Sequence, residues 1–337
     1  MHLEHFYKQM LPAIENELKS RVQLNDDEGL VELHAMLRYH LGWEGPGAGA
    51  KATGKRVRPM LMLLTNAAAG GVWERSLPAA AAVELVHNFS LIHDDIQDNS
   101  AMRRGRKTVW KIWGVSQAIN AGDSLFALAH LSLEHLAELT TSEQKLKAGN
   151  VLRNASLTLT EGQFLDLDYE ARGDLTIDSY WPMIQGKTAS LISACTELGA
   201  ILAGSSDDIQ ANYRDFGKYV GLAFQVHDDY LGIWGDTART GKSAESDLLS
   251  GKKTLPILYG IDQQGEFAKQ WRNGRVIAKM VPALVKSLVN EGAKEFTIHQ
   301  VNELSEQALA ALEQAGAKGE AKEALVELTE LLAKRDI

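Results

Sequence analysis

The chain has 337 residues, of which 45% are hydrophobic, and its formal net charge is −9, from 44 acidic and 35 basic residues. This composition is enough to build a large core, and it excludes the linker-rich and disordered classes. The acidic balance argues against a nucleic-acid-binding surface, so an anionic substrate needs local basic residues or metal ions to bind.

Helical spacing dominates from the first residues onward. Apolar side chains three and four residues apart predict a helix over residues 3–24 and a weaker one over 28–41. The glycine-rich stretch 42–54 predicts a loop. Further helices are predicted over residues 59–70, 78–98, 115–138, 143–169, 178–203 and 207–234, and again from near Leu255. We expect no strand and no domain boundary, so the prediction is one all-α domain over residues 1–337.

The N-terminus and the single cysteine bear on localisation. The first ten residues include Glu4 and Lys8 and contain no apolar signal segment, and no stretch approaches about 18 uninterrupted apolar residues. Cys195 cannot form an internal disulfide, which is typical of a reducing compartment. We therefore expect a cytoplasmic protein with no stable membrane anchor.

Two acidic segments end otherwise apolar helices. In the first, Asp94 and Asp98 are four residues apart and share one helix face, with Asp95 beside them. In the second, Asp228 and Asp229 follow a histidine as Asp94 and Asp95 do. Carboxylates held this close are costly to bury without a cation, and hard oxygen ligands in this pattern suit magnesium.

Basic residues accompany the acidic helices in four separate segments. They are Lys55, Arg56 and Arg58; Arg103 and Arg104; Lys187; and Lys242, Lys252 and Lys253. Arginine pairs with phosphate oxygens through two parallel donors, and lysine acts as a point charge. Any one of these residues alone reads as a surface charge, but their repeated placement beside acidic helices indicates a diphosphate substrate.

These motifs resemble those of the trans-isoprenyl diphosphate synthases, the polyprenyl synthetase family that includes farnesyl and geranylgeranyl diphosphate synthases. The matching segments are residues 54–59, 94–98 with 103–105, 186–188, 224–229, 240–242 and 251–256, in the family's order. The resemblance implies a single large helical bundle of the isoprenoid synthase type with a central cavity, and a homodimer.

The resemblance also implies a role for each matching residue. Three magnesium ions would be held mainly by Asp94, Asp98 and Asp228. The allylic diphosphate would be held by Arg103, Lys187, Lys242 and Lys252, and isopentenyl diphosphate by Lys55, Arg58, His87 and Arg104. Thr188 and Gln225 would direct oxygens toward the allylic cation. The implied reaction is ionisation, condensation and elimination, with the proton lost to the diphosphate itself.

One position departs from the family pattern. Gly232 stands where the second acidic motif usually carries a third aspartate, although Asp236 follows a turn later. We expect the metal site to survive with weaker affinity. The departure also leaves open a non-catalytic synthase subunit, and the first acidic motif alone leaves open a class I terpene cyclase.

Product length is expected to depend on residues just before the first acidic motif. Phe89 lies five residues before Asp94, roughly 7.5 Å along a helix, and Ser90 beside it is small. In the resembling family, one aromatic residue there is typical of enzymes that stop at twenty carbons. We therefore expect geranylgeranyl diphosphate, with a farnesyl or longer polyprenyl product as the alternative.

Overall fold

The computed structural model describes residues 1–23, 29–138, 140–235, 246–272, 274 and 276–333. Over these residues the protein is almost entirely α-helical, which confirms the predicted fold class. Up to residue 134 the helices are α1 His2–Val22, α2 Val31–His40, α3 Ala50–Thr53, α4 Val57–Ala68, α5 Leu77–Gln97, α6 Val109–Trp113 and α7 Val115–Glu134.

The helices of the middle of the chain are α8 Ser142–Ala171, α9 Ile177–Ile184, α10 Ser190–Leu202 and α11 Asp207–Trp234. They are followed by α12 Ser246–Ser250, α13 Leu255–Asp262, α14 Glu266–Trp271, α15 Val281–Asn290, α16 Ala293–Gln314 and α17 Gly319–Ala333. Short 3₁₀ turns cover Trp73–Ser76, His135–Glu138 and Ala278–Met280, and a π-helical turn covers Gln185–Ala189.

The expectation of no strand is wrong at one place. Met102–Arg103 (β1) and Arg106–Lys107 (β2) pair antiparallel as a small hairpin, with Arg103 opposite Arg106. Arg104 and Gly105 form its turn with φ of 51° and 75°. Two-residue hairpin turns favour positive φ at both positions because their twist then matches that of the strands. Strands of two residues are too short to show an alternating pattern.

A second difference concerns the helix predicted over residues 178–203, which is interrupted by the π turn. The backbone of Gly186 in this turn lies directly against Gly162 of α8, where a Cβ on Gly186 would come within 2.7 Å of the Gly162 Cα. Wide turns of this kind occur mostly at functional sites. Here the turn carries Lys187 and Thr188.

The chain divides into two compact units. Unit 1 comprises residues 1–153, 195–210 and 316–325, and unit 2 comprises residues 154–194, 211–315 and 326–337. The expectation of one domain stays a prediction.

Helix α5 is the centre of unit 1, where it packs on α1, α4 and α7. Pro78 lies in its first turn, where a missing backbone N–H costs nothing. The run from Ala79 to Val83 is fully buried, and its small side chains allow close helix packing. The acidic segment at the end of α5 is thereby attached to a helix whose first half is deeply buried.

Two apolar clusters lie among the described residues of unit 2. One includes Tyr180, Val226 and Leu255, and the other includes Ile233 and Phe267. Because Val226 and Ile233 both lie on α11, this helix is packed on either side of its acidic residues. None of the described helices is long and apolar enough to cross a membrane.

Candidate active site

The three aspartates of the first acidic segment differ in burial. Asp95 is only 2% exposed and accepts a 2.8 Å hydrogen bond from Arg103 Nε, while Asp94 and Asp98 are partly exposed. Burial raises the pKa of Asp95 to about 6, and the Arg103 guanidinium opposes that rise. Asp95 therefore anchors the β1–β2 hairpin to α5, and Arg103 Nη2 makes a longer 3.5 Å contact with Asp94 Oδ2. The candidate metal ligands are the partly exposed Asp94 and Asp98.

The donor set fits magnesium. No group of three His, Cys, Asp or Glu side chains that could hold a metal unaided is found within the described ranges. Magnesium normally takes one or two protein carboxylates and completes its coordination with water and substrate phosphates. Asp94 and Asp98, one helical turn apart at the end of α5, match that requirement.

Arg56 anchors the basic loop, which we define as residues 51–58, from inside unit 1. It is 2% exposed and has a positive φ of 47°. Its Nε lies 2.6 Å from Glu15 Oε1, and its guanidinium also donates to Glu84 Oε1 at 2.8 Å and to the Leu41 carbonyl at 3.2 Å. Arg56 is thus a structural residue between Lys55, which is exposed, and Arg58.

Arg58 and His87 come together as the resemblance implied. Arg58 Nη1 lies 3.2 Å from His87 Nε2. Burial and the neighbouring Arg58 charge lower the pKa of His87 well below its usual range, so the ring is neutral and accepts this bond. Arg58 Nε is buried and has no hydrogen-bond partner among the described residues. Arg58 therefore has donor capacity for an anionic ligand.

Arg104 also contacts the basic loop, at Ala52 and Gly54. Its Nη1 donates to the Ala52 carbonyl at 2.8 Å, and its guanidinium lies against Gly54. A Cβ at Gly54 would lie 2.7 Å from Arg104 Cζ, and the φ of Gly54 is +78°, so glycine is required there. Four residues are assigned by resemblance to isopentenyl diphosphate. Arg58 and His87 contact each other, Arg104 contacts the basic loop, and Lys55 is exposed in that loop.

A pocket adjoins this site within unit 1. It is lined by Tyr39, His40, Ala52, Asp95, Arg103, Arg104, Arg106, Lys107, Thr108 and Val109. His40 is a residue that sequence reasoning missed. Its Nε2 is buried with no hydrogen-bond partner among the described residues, and burial together with Arg103 and Arg104 lowers its pKa to about 3. The pocket thus combines several arginine charges with a neutral imidazole.

The neutral His40 should make folding sensitive to acid. Its folded pKa of about 3 lies below the ordinary 6.5, so between these values the unfolded chain binds a proton that the folded chain does not. Stability is then lost as pH falls, by about 1.4 kcal/mol per pH unit from this group. Urea unfolding at about pH 7 and about pH 5 should show a shallower pH dependence for His40→Gln.

His299→Gln is the matched control, because His299 is exposed on α16. This substitution should leave the pH dependence unchanged. An unaltered slope in His40→Gln would contradict a buried neutral ring.

The second acidic segment, in unit 2, also combines one buried, hydrogen-bonded aspartate with one partly exposed aspartate. Asp229 is 5% exposed and accepts hydrogen bonds from Tyr180 Oη at 2.6 Å, Gln225 Nε2 at 2.9 Å and the Leu255 N–H at 3.2 Å. Burial raises its pKa to about 7, against the effect of the Tyr180 and Gln225 hydrogen bonds. Asp229 is an anchor as Asp95 is, and the partly exposed Asp228 is the candidate ligand.

The π turn places Lys187 and Thr188 beside this segment. Thr188 Oγ1 donates to Gln225 Oε1 at 2.6 Å, which joins the two residues assigned to the allylic cation. Lys187 Nζ lies 2.5 Å from Asp166 Oδ2 on α8. Asp166 was missed in the sequence because a single acid in a long helix gives no motif signal. Its carboxylate fixes the position of the Lys187 ammonium group.

The remaining basic residues are only partly described. Lys252 is partly exposed just after α12, and its backbone N–H donates to the Asp247 carbonyl at 3.2 Å. Lys242 and Asp236 lie outside the described residues.

Phe89 belongs to an aromatic row on α5 and α7. Its ring centroid lies 4.8 Å from that of His93 and 5.0 Å from that of Phe126, which in turn lies 4.7 Å from His130. Ser90 Oγ donates to the His87 carbonyl at 2.8 Å. Phe126 was missed because helical periodicity does not show which apolar residue of α7 meets Phe89.

Comparison with known proteins identifies relatives. Over 240 residues the chain is 42% identical to a geranylgeranyl diphosphate synthase of Mycobacterium tuberculosis, covering 71% of this chain and 68% of the relative. It is 39% identical over 243 residues to a (2E,6E)-farnesyl diphosphate synthase of the same organism, covering 71% of this chain and 66% of that relative.

A solved structure shares the fold over nearly the whole chain. It is a geranylgeranyl pyrophosphate synthase of Corynebacterium glutamicum, crystallised with isoprenyl diphosphate and magnesium, with a TM-score of 0.85 and 26% identity over 99% of both chains. The polyprenyl synthetase family model matches residues 48–288, which include both acidic segments. The chain therefore belongs to the polyprenyl synthetase family and is an isoprenyl diphosphate synthase.

Proposed function

We propose that this protein is a magnesium-dependent prenyltransferase that condenses isopentenyl diphosphate with allylic diphosphates, head to tail, to give all-trans geranylgeranyl diphosphate. The observation that carries the proposal is the basic site of Arg58, His87 and Arg104. It lies in the same unit as the first acidic segment, whose Asp95 shares one pocket with Arg104. A terpene cyclase needs no second diphosphate site, so this basic site favours a synthase.

Each residue has a chemical task in this proposal. Asp94, Asp98 and Asp228 hold magnesium, which when bound neutralises charge on the departing diphosphate. Arg103, Lys187, Lys242 and Lys252 donate to the same diphosphate and stabilise its developing charge. Lys55, Arg58, His87 and Arg104 hold isopentenyl diphosphate so that its double bond meets the allylic carbon. Thr188 and Gln225 orient oxygens toward the positive charge, and the released diphosphate accepts the proton.

The test is incubation of purified protein with labelled isopentenyl diphosphate and, separately, C5, C10 and C15 allylic diphosphates, with and without magnesium. We expect magnesium-dependent incorporation that ends at the twenty-carbon product. No incorporation with any primer would contradict the synthase, and a cyclic hydrocarbon formed without isopentenyl diphosphate would identify a cyclase. A C15 end product would favour the alternative suggested by the farnesyl diphosphate synthase relative.

We expect Phe89→Ala to lengthen the product. Removing the ring opens space beside Phe126, whose centroid lies 5.0 Å away, and the growing chain can then pass further along α5. A double Phe89→Ala, Phe126→Ala variant should extend the product again. Chain length is read by chromatography of the dephosphorylated alcohols.

Phe89→Tyr keeps the ring and is the matched control, for which the product should stay unchanged. An unaltered distribution in both alanine variants would exclude the row as the floor of the product site.

We also propose a homodimer. Large apolar side chains are exposed on α7 and α8: Leu131 is 60% exposed, Leu146 63%, Leu157 61% and Phe164 67%. Leu157 and Phe164 are seven residues apart on α8 and so share one helix face, and a contiguous exposed apolar face is typical of association surfaces. Light scattering on the purified protein should give twice the chain mass of 36.9 kDa.

Localisation to the cytoplasm is the remaining part of the proposal. It is supported by Cys195, which is buried as a free thiol in unit 1.

A further inference from the structure

Gly232 lies inside the helix α11, where glycine is among the weakest helix formers. It is four residues after Asp228, so its missing side chain would project from the helix face that carries the Asp228 carboxylate. The family that the chain resembles usually carries its third aspartate at this position. A glycine here therefore needs a structural reason.

The reason is the side chain of Asp247, which comes from α12. A Cβ added at Gly232 would lie 2.7 Å from Asp247 Cγ and would overlap its Oδ2. The Asp247 carboxylate thus occupies the space into which a side chain of residue 232 would grow. Since that space is on the Asp228 face of α11, the carboxylate lies beside the second acidic segment.

The electrostatics agree with that placement. Asp247 is one of the charges that raise the pKa of the buried Asp229, after burial itself. Burial raises the pKa of the Tyr180 hydroxyl well above its usual range. The negative charges of Asp229, Asp228 and Asp247 add to that rise. The placement of Asp247 against α11 itself rests on its close approach to Gly232.

We propose that Asp247 supplies, from a separate helix, the third carboxylate that the second acidic motif lacks, and that Gly232 is required to admit it. The inference rests on the proposed function, since the carboxylate would act toward the magnesium held by Asp228. If Asp247 had only a structural role, its removal would destabilise α12, because an acid in the first turn stabilises a helix through its dipole. Magnesium affinity would then stay unchanged.

Metal affinity in the absence of turnover separates these roles. Calorimetric titration of magnesium into protein saturated with a non-ionisable thio-analogue of an allylic diphosphate should give about tenfold weaker binding for Asp247→Asn. Asp215→Asn, at an exposed position on α11, should match the wild type. Unchanged affinity in Asp247→Asn, alongside weakened binding in Asp228→Asn, would overturn the inference and leave the proposed function intact.

A double-mutant cycle tests the steric half of the proposal. Gly232→Ala should weaken magnesium binding as much as Asp247→Ala does, because the new methyl group displaces the carboxylate. In the Asp247→Ala background, Gly232→Ala should cause no further loss and should raise the melting temperature, because alanine is the better helix former. An equal loss of affinity from Gly232→Ala in both backgrounds would overturn the proposal. If the wild type itself binds no magnesium with the analogue, the proposed function fails too.

Discussion

Asp94→Asn is expected to lower turnover by about 10³-fold at saturating substrate, the order of effect seen when one group that stabilises developing charge is removed. The substitution preserves shape but removes the negative charge from one of the two carboxylates that α5 presents on one face. Arg103 keeps its 2.8 Å bond to Asp95, so the β1–β2 hairpin should stay in place. The loss should therefore appear in kcat and in the magnesium requirement, and not in the melting temperature.

Two comparisons make that experiment decisive. Asp95→Asn removes the buried partner of Arg103 and should lower the melting temperature, the opposite pattern to Asp94→Asn. Asp208→Asn, exposed at the start of α11, should resemble the wild type in every measurement. Turnover of Asp94→Asn within about tenfold of the wild type would remove Asp94 from the metal site.

Arg56→Ala should cause the largest loss of stability. Arg56 is the partner of Glu84, whose side chain is 3% exposed, and of Glu15, and removing it leaves a buried carboxylate without its counter-charge. Breaking a buried pair in this way typically costs about 3–5 kcal/mol of unfolding free energy. Urea unfolding followed by circular dichroism measures the change.

The matched control is Arg172→Ala, which removes an exposed arginine paired with Asp174 and should have no measurable effect. The KM for isopentenyl diphosphate should rise in Arg56→Ala, because Lys55 and Arg58 flank the lost anchor. A stability loss below about 1 kcal/mol would show that Glu84 is stabilised without Arg56.

The sequence predicted the helices well because their apolar spacing is set by the same burial that the structure shows. The family resemblance assigned Arg58 and His87 to one substrate and Thr188 and Gln225 to the other, and each pair is in hydrogen-bonding contact in the structure. The sequence could not predict which aspartate of each pair is a buried anchor and which is a candidate metal ligand. The buried Asp95 accepts a hydrogen bond from Arg103, and the buried Asp229 accepts one from Tyr180, which is distant in sequence.

The residues that were missed share one property, which is that their role depends on tertiary neighbours. Asp166 matters because it meets Lys187, and Phe126 because it meets Phe89. His40 ends a short helix whose sequence gives no sign of the arginines around it. Gly232 was visible as a departure from the family pattern, but its explanation required the position of Asp247.

The β1–β2 hairpin has a consequence for how magnesium and isopentenyl diphosphate influence each other's binding. Arg103 binds Asp95 at the end of α5, and the next residue, Arg104, binds Ala52 in the basic loop. Consecutive residues of the hairpin thus contact the helix that carries candidate metal ligands and the loop beside the candidate isopentenyl diphosphate site. We expect the two binding free energies to be linked, and linkage is reciprocal, so isopentenyl diphosphate should tighten magnesium binding by the same factor that magnesium tightens isopentenyl diphosphate.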